Sequence, residues 1–193
     1  MGDGRGVTLV EVTLAVALVA VLLGLSLPAL TARGDTVRLL GAARYLAGEV
    51  ARARALAVRR GAAVGLRFLP EEDGFRVQVY ADGNGNGVRQ TDIRRGIDEP
   101  VGAEFRPRDL FPGVRVARDP AVPPIGSDAA GASGPVRFGS GATLTVTPLG
   151  TATSGTVYLR SRGGHHAAVR VLGATGRVRV LTFEAGAGEW LSR

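Results

Sequence analysis

Residues 7–30 read VTLVEVTLAVALVAVLLGLSLPAL, and their only charged side chain is Glu11. As a helix these 24 residues would extend about 36 Å, enough to cross a bilayer. A removable secretory signal is the alternative, but its apolar core is usually about 7–15 residues long and follows a basic segment. Here the preceding MGDGRG carries one Arg and one Asp, and Leu30-Thr31-Ala32 is a poor cleavage site. Helical spacing then continues in a different form. Leu39, Ala43, Leu46, Val50, Ala53 and Ala57 recur every three or four residues and make one apolar seam, with Arg38, Arg44, Arg52, Arg54 and Arg59 off it. The spacing predicts one helix of more than 50 residues, capped at Gly61, with a kink at Pro28, which has no N–H to donate.

After Gly61 the period drops to two. Val64, Leu66 and Phe68, then Phe75, Val77 and Val79, alternate with smaller or polar residues around a turn at 70–74, which predicts a hairpin. Further strands are expected at 113–117, 136–138, 143–147, 156–161, 168–172 and 177–183, and a surface loop at 118–135. The fold class is therefore α+β, a long helix packed on an antiparallel β domain. The boundaries are 1–6 as a leader, 7–30 as the apolar helix, 31–61 as the amphipathic helix and 62–193 as the β domain.

Composition excludes much. The 193 residues contain no cysteine, so disulfides, thiol catalysis and Cys-based metal or Fe–S sites are out. The two histidines, His165 and His166, are adjacent and read as a loop tip. Ser140 and Ser154 have no His or acid in suggestive positions, so the chain is not read as an enzyme. All 24 basic residues are arginine, and the net charge of +7 is concentrated in 33–67 and 156–193. Such blocks attract nucleic acid, anionic lipid or acidic protein without selecting among them.

Glu11 is the odd residue of the apolar run, because a carboxylate at the centre of a membrane helix costs about 2.5–3.5 kcal/mol. Thr8-Leu9-Val10-Glu11 has the form of a capping box, which would make Glu11 merely structural. The functional alternative is a cut after Gly6, which would place the new ammonium of Val7 one turn from Glu11. In a filament that carboxylate would neutralise a neighbour's ammonium. Gly6 followed by Val7-Thr8-Leu9-Val10-Glu11, the apolar run and Pro28 resembles the class III signal of type IV pilins and type II secretion pseudopilins.

The segment from Thr147 to Leu159, the Asp82 loop and Gly176-Arg177-Val178-Arg179-Val180 resemble the family that joins the minor pseudopilin H with fimbrial protein T (GspH/FimT). The resemblance implies two β-sheets on the helix and no catalysis. It implies cleavage between Gly6 and Val7 by a prepilin peptidase and N-methylation of Val7. Thr8, Glu11 and Pro28 would serve assembly with major and other minor pilins on an inner-membrane platform, the β domain lying in the periplasm. Members are thought to prime or cap the filament tip. The sequence leaves open secretion or pilus as the branch. A single-pass anchored binding protein outside the pilin system is the remaining rival.

Two further sites are legible. Asp82, Asn84, Asn86 and Gly87 match the start of a D-x-N-x-N-G calcium loop, with Val88 offering a carbonyl. Position 12 is Ile93, so a carboxylate would have to come from Asp92, Asp98 or Glu99; an Asn/Gly turn is the alternative. Arg177 and Arg179 share one face of a strand, with Arg160, Arg162 and Arg170 expected nearby. In the fimbrial branch a Gly-Arg-x-Arg segment is associated with DNA capture, so these five residues are candidates for phosphate contacts. The alternative is a solvated strand face.

Overall fold

The computed structural model describes residues 8–126, 134–139 and 141–192, with the backbone alone for helix residues 23–33. The chain divides into two compact units, the second beginning at Asp35. Helix α1 runs Leu9–Arg60 and supplies the described part of the first unit. Thr8 caps it: the Glu11 N–H donates to Thr8 Oγ1 at 3.2 Å, and the Val12 N–H reaches the Thr8 carbonyl at 3.2 Å. From Leu9 to Leu22 every side chain is exposed, Leu9 by 83 % and Leu14 by 72 %. Among the described residues no helix is long and apolar enough to cross a membrane, and the run 7–30 lies partly outside them. The Gly6–Val7 junction and the side chain of Pro28, where a kink was expected, also lie outside the described residues.

In the second unit the seam is buried as the spacing predicts. Leu39, Ala43, Leu46, Val50, Ala53 and Ala57, joined by Ala42, form one core with both sheets. Four alanines among the seven keep the helix surface low, so strands approach closely. Gly61 ends the helix at φ 63°, a left-handed conformation that a Cβ would strain.

The first sheet contains β1 (Val64–Glu71), β2 (Gly74–Ala81), β3 (Glu99–Pro100) and β6 (Thr143–Val146), in the order β3-β2-β1-β6. The second contains β4 (Val114–Val116), β5 (Val136–Phe138), β7 (Gly155–Ser161), β8 (His166–Leu172), β9 (Arg177–Glu184) and β10 (Glu189–Ser192). Its order is β10-β9-β8-β7-β4, with β5 also on β7, and every pairing is antiparallel. Two short helices, α2 (Gln90–Arg95) and α3 (Pro107–Leu110), lie between β2 and β4.

The hairpin turn is tighter than predicted. Pro70 pairs with Phe75 and Glu71 with Gly74, leaving only Glu72 and Asp73 outside the ladder. Proline is tolerated there because β6 covers β1 only from Val64 to Arg67. His166 is a second correction: it opens β8 and is buried, so only His165 remains in the exposed turn. Next to the hairpin, Arg106 holds Glu71 through two bonds of 2.9 and 3.0 Å, and Phe105 bridges to Val77. The Arg106 bonds keep the Glu71 carboxyl below its ordinary range. They also fix the start of α3 against the first sheet.

Candidate functional site

Strand alternation decides which arginines share a surface. Val157, Leu159, Val169, Val171, Val178 and Val180 face the core, so Arg160, Arg170, Arg177 and Arg179 face outward from the second sheet. Arg115, between buried Val114 and Val116, joins them directly opposite Arg160. Arg170 stands opposite Arg179, and Arg160 opposite His166.

The described part of the 118–135 loop lies across this face as a strap. The Ile125 N–H donates to the Tyr158 hydroxyl at 2.8 Å, and Trp190 Nε1 donates to the Pro123 carbonyl at 2.8 Å. Arg170 Nη1 donates to the Ile125 carbonyl at 2.8 Å. The Arg118 guanidinium sits 5.6 Å from the Tyr158 ring centre, where a cation is attracted by the ring. The Asp119 N–H donates to His166 Nε2 at 3.3 Å.

The strap therefore splits the five candidate arginines. Arg177 and Arg179 are exposed on one side, Arg170 is half-buried beneath the strap, and Arg160 and Arg162 lie on the other side. Arg160 and Arg162 line an open groove of about 820 Å³ together with Arg108 and Arg115. Sequence reasoning missed those last two. The Val114-Arg115-Val116 alternation carried the same signal as Arg177-Val178-Arg179, whereas Arg108 depends on where α3 is held.

Burial holds the His166 imidazole below its ordinary pKa, and the Arg160 guanidinium adds to this, opposed by Asp119. Below about pH 6.5 the unfolded chain thus binds more protons than the folded one, so this contribution to stability is lost as pH falls. We expect His166→Gln to flatten the fall in melting temperature between pH 7.5 and 5.5, measured by circular dichroism. An unchanged slope would remove His166 from the strap's energetics.

The Asp82 loop is stapled internally. Asp82 Oδ1 accepts the N–H groups of Asn84 and Gly85 at 3.1 and 2.8 Å, and Oδ2 accepts that of Gly87 at 2.7 Å. Asp98 Oδ1 and Oδ2 accept those of Gly83 and Arg89 at 3.1 and 2.8 Å. Asp92, at the start of α2, accepts the side-chain amides of Asn86 and Asn84 at 3.0 and 3.5 Å, and chiefly the Asn86 bond lowers its pKa. Val88 turns its side chain into the protein. Each of these oxygens keeps further lone-pair capacity, so the bonds shape the loop without deciding whether a cation joins it. Among the described residues no group of three or more His, Asp or Glu side chains is placed to hold a metal. These internal bonds are those of the Asn/Gly turn, and calcium binding through Asp82, Asn84, Asn86, Val88 and Asp92 is a proposal that a calcium titration of the full chain tests.

At the N-terminus only half of the capping box forms. Thr8 caps, but among the described residues the Glu11 carboxylate makes no return hydrogen bond.

An α+β unit built on the amphipathic part of a helix, whose first turns from Leu9 to Leu22 are apolar and exposed, is that of a pilin-like subunit. The chain belongs to the family of the type II transport protein GspH, whose model matches residues 42–176. It is also similar to the pilin-like protein PilA1 of Thermus thermophilus, with 44 % identity over 82 residues, 42 % of this chain and 51 % of that one. The chain thus spans about half the length of that curated relative. No solved structure matches it.

Proposed function

We propose that the chain acts as a minor pseudopilin or minor pilin, a structural subunit without catalysis that primes or caps a filament tip. The observation that carries this is the exposed apolar stripe from Leu9 to Leu22, which water cannot solvate well and which a bilayer or neighbouring helices would cover. In this reading the run 7–30 anchors the chain in the inner membrane, with the β domain in the periplasm. A prepilin peptidase cuts between Gly6 and Val7, and the helix passes from membrane to filament core through the assembly platform, beside other pilins. Glu11, left without a return bond, is available to a neighbour's ammonium. Mass spectrometry of the mature chain tests this: an N-methylated Val7 is expected. Retention of Met1, or a start at Arg33, would favour an anchored protein outside the pilin system or a cleaved signal.

The secretion branch is our first reading, because the family model that matches is that of a type II transport protein. DNA capture is the second, favoured by the exposure of Arg177 and Arg179, neither of which forms an ion pair among the described residues. Gly176 by itself adds nothing to it, since a Cβ there would lie 2.3 Å from the Gly150 carbonyl oxygen, so packing alone demands glycine. If both arginines neutralise phosphates, log K against log salt falls with a slope of about −0.9 per contact on duplex DNA. Replacing both by Gln should make the slope shallower by nearly two units and weaken all sequences alike. An equal loss from Arg52→Gln with Arg59→Gln would mean diffuse attraction and no site.

A further inference from the structure

Arg54 lies off the buried seam of α1, and its guanidinium rests over the turns at Gly150 and Gly176. A Cβ at Gly150 would lie 2.6 Å from its Nη2, and one at Gly176 would lie 3.8 Å from its Nη1. All three residues belong to the unit that begins at Asp35. The Arg54 side chain is exposed, and among the described residues none of its N–H groups meets an acceptor. Five donors are thus held in place over the main chain and left to solvent.

Counter-charge is absent from the sequence around it. Residues 129–183 include six arginines and no Asp or Glu. After Asp35 the one acid of α1 is Glu49, which accepts from Arg52 at 2.9 Å. Arg52, Arg59 and Glu49 line a small groove on another side of the helix, since residues 52 and 59 project about 160° or 140° away from residue 54.

Gly176 leads directly into β9, so Arg54 continues the row that Arg177 and Arg179 begin. Those two stand about 7 Å apart along the outer strand face. Their side chains form no hydrogen bond or ion pair among the described residues. Arg179, Arg177 and Arg54 follow one another from the strand face, over the sheet end, to the helix. We infer that Arg54 is a third phosphate contact, and that duplex DNA crosses this end of the second sheet from β9 to the flank of α1. The inference rests on the DNA reading above. A row of separate cations suits a backbone whose charges repeat, whereas a small anion would need them to converge.

The test measures binding of a short fluorescein-labelled duplex to the full-length chain in neutral detergent, by anisotropy at about 0.05–0.2 M salt. Arg54→Gln should make the slope of log K against log salt shallower by about 0.9 and weaken binding roughly eightfold at 0.1 M, because one counterion fewer is released. Arg54→Lys should keep the wild-type slope, since a point charge also neutralises a phosphate. Lost affinity in both variants with an unchanged slope would mean packing over the two glycines only and overturn the contact. Arg59→Gln should leave the slope unaltered; an equal change there would mean diffuse attraction and overturn the site. Arg177→Gln with Arg179→Gln separates the two possible failures. If that variant flattens the slope while Arg54→Gln does not, the DNA reading stands and Arg54 leaves it. If it changes nothing, both fall. Poly-glutamate that competes as well as unlabelled duplex at equal charge would overturn the proposal in favour of an acidic protein, with Leu149, 92 % exposed beside Gly150, as its apolar contact.

Discussion

Asp98→Ala should destabilise the β domain by about 3–5 kcal/mol, because it removes two charge-assisted bonds at once. Asp98 is 1 % exposed, and its two oxygens are the acceptors for the N–H groups of Gly83 and Arg89. With the carboxylate gone, both donors lose the acceptor that fixes the loop, and the buried space that Asp98 fills is left without its polar group. Gly83 compounds the cost, since its own Cβ position lies 2.0 Å from the Ile97 carbonyl oxygen and the backbone there has no slack. A loss of this size should lower the melting temperature by roughly 10 °C for a unit of this length. Asp98→Asn keeps one acceptor and should cost about half as much. Denaturant unfolding of the full chain in detergent, followed by the fluorescence of Trp190, measures both. A cost below about 1 kcal/mol for Asp98→Ala would mean that the loop is not held this way. A calcium-dependent rise in stability, abolished by the same substitution, would support the cation reading.

This loop shows what the sequence conveyed and what it did not. Asp82, Asn84 and Asn86 were recognisable as a one-sided pattern, but the pattern does not say whether carboxylates face a cation or backbone amides. That choice depends on Asp98, which the chain returns to Asp82 after α2. The helix seam and the longer strands were legible because each repeats its period several times. β3, α3 and β10 have two to four residues each and complete no period, so they exist only through their partners. β8 was placed two residues late because a His-His pair after two glycines resembles a turn, whereas burial against the strap makes His166 part of the strand. The strap itself was visible only as loop composition. Its anchors are Tyr158, Arg170 and Trp190, which reach main-chain groups of Pro123 and Ile125 across the sheet. No local spacing encodes such contacts. They are also why five arginines that looked like one surface became two.

If the proposed processing and assembly hold, Gly6→Asp and Glu11→Val should both impair filament incorporation, but at different steps. An aspartate before the scissile bond obstructs a peptidase that accepts glycine there, so the full-length chain should accumulate in the membrane and no mature form should appear. Glu11→Val should leave cleavage and membrane insertion intact, and insertion should even improve, since a carboxylate in an apolar run is costly, by up to about 2.5–3.5 kcal/mol where it lies at the centre. What it loses is the partner for a neighbour's ammonium. Breaking a buried ion pair by removing one member costs about 3–5 kcal/mol, so incorporation should fall at least about a hundredfold. Thr8 distinguishes this from a capping effect, because its hydroxyl accepts the Glu11 N–H, a main-chain donor that survives in the valine variant. Thr8→Ala should therefore cost only about 0.5–2 kcal/mol of helix stability and leave assembly largely intact. Immunoblots of membrane and sheared-filament fractions read all three variants. Normal incorporation of Glu11→Val, with a defect in Thr8→Ala, would reduce the Thr8–Glu11 pair to a helix start and take the assembly role away from the carboxylate.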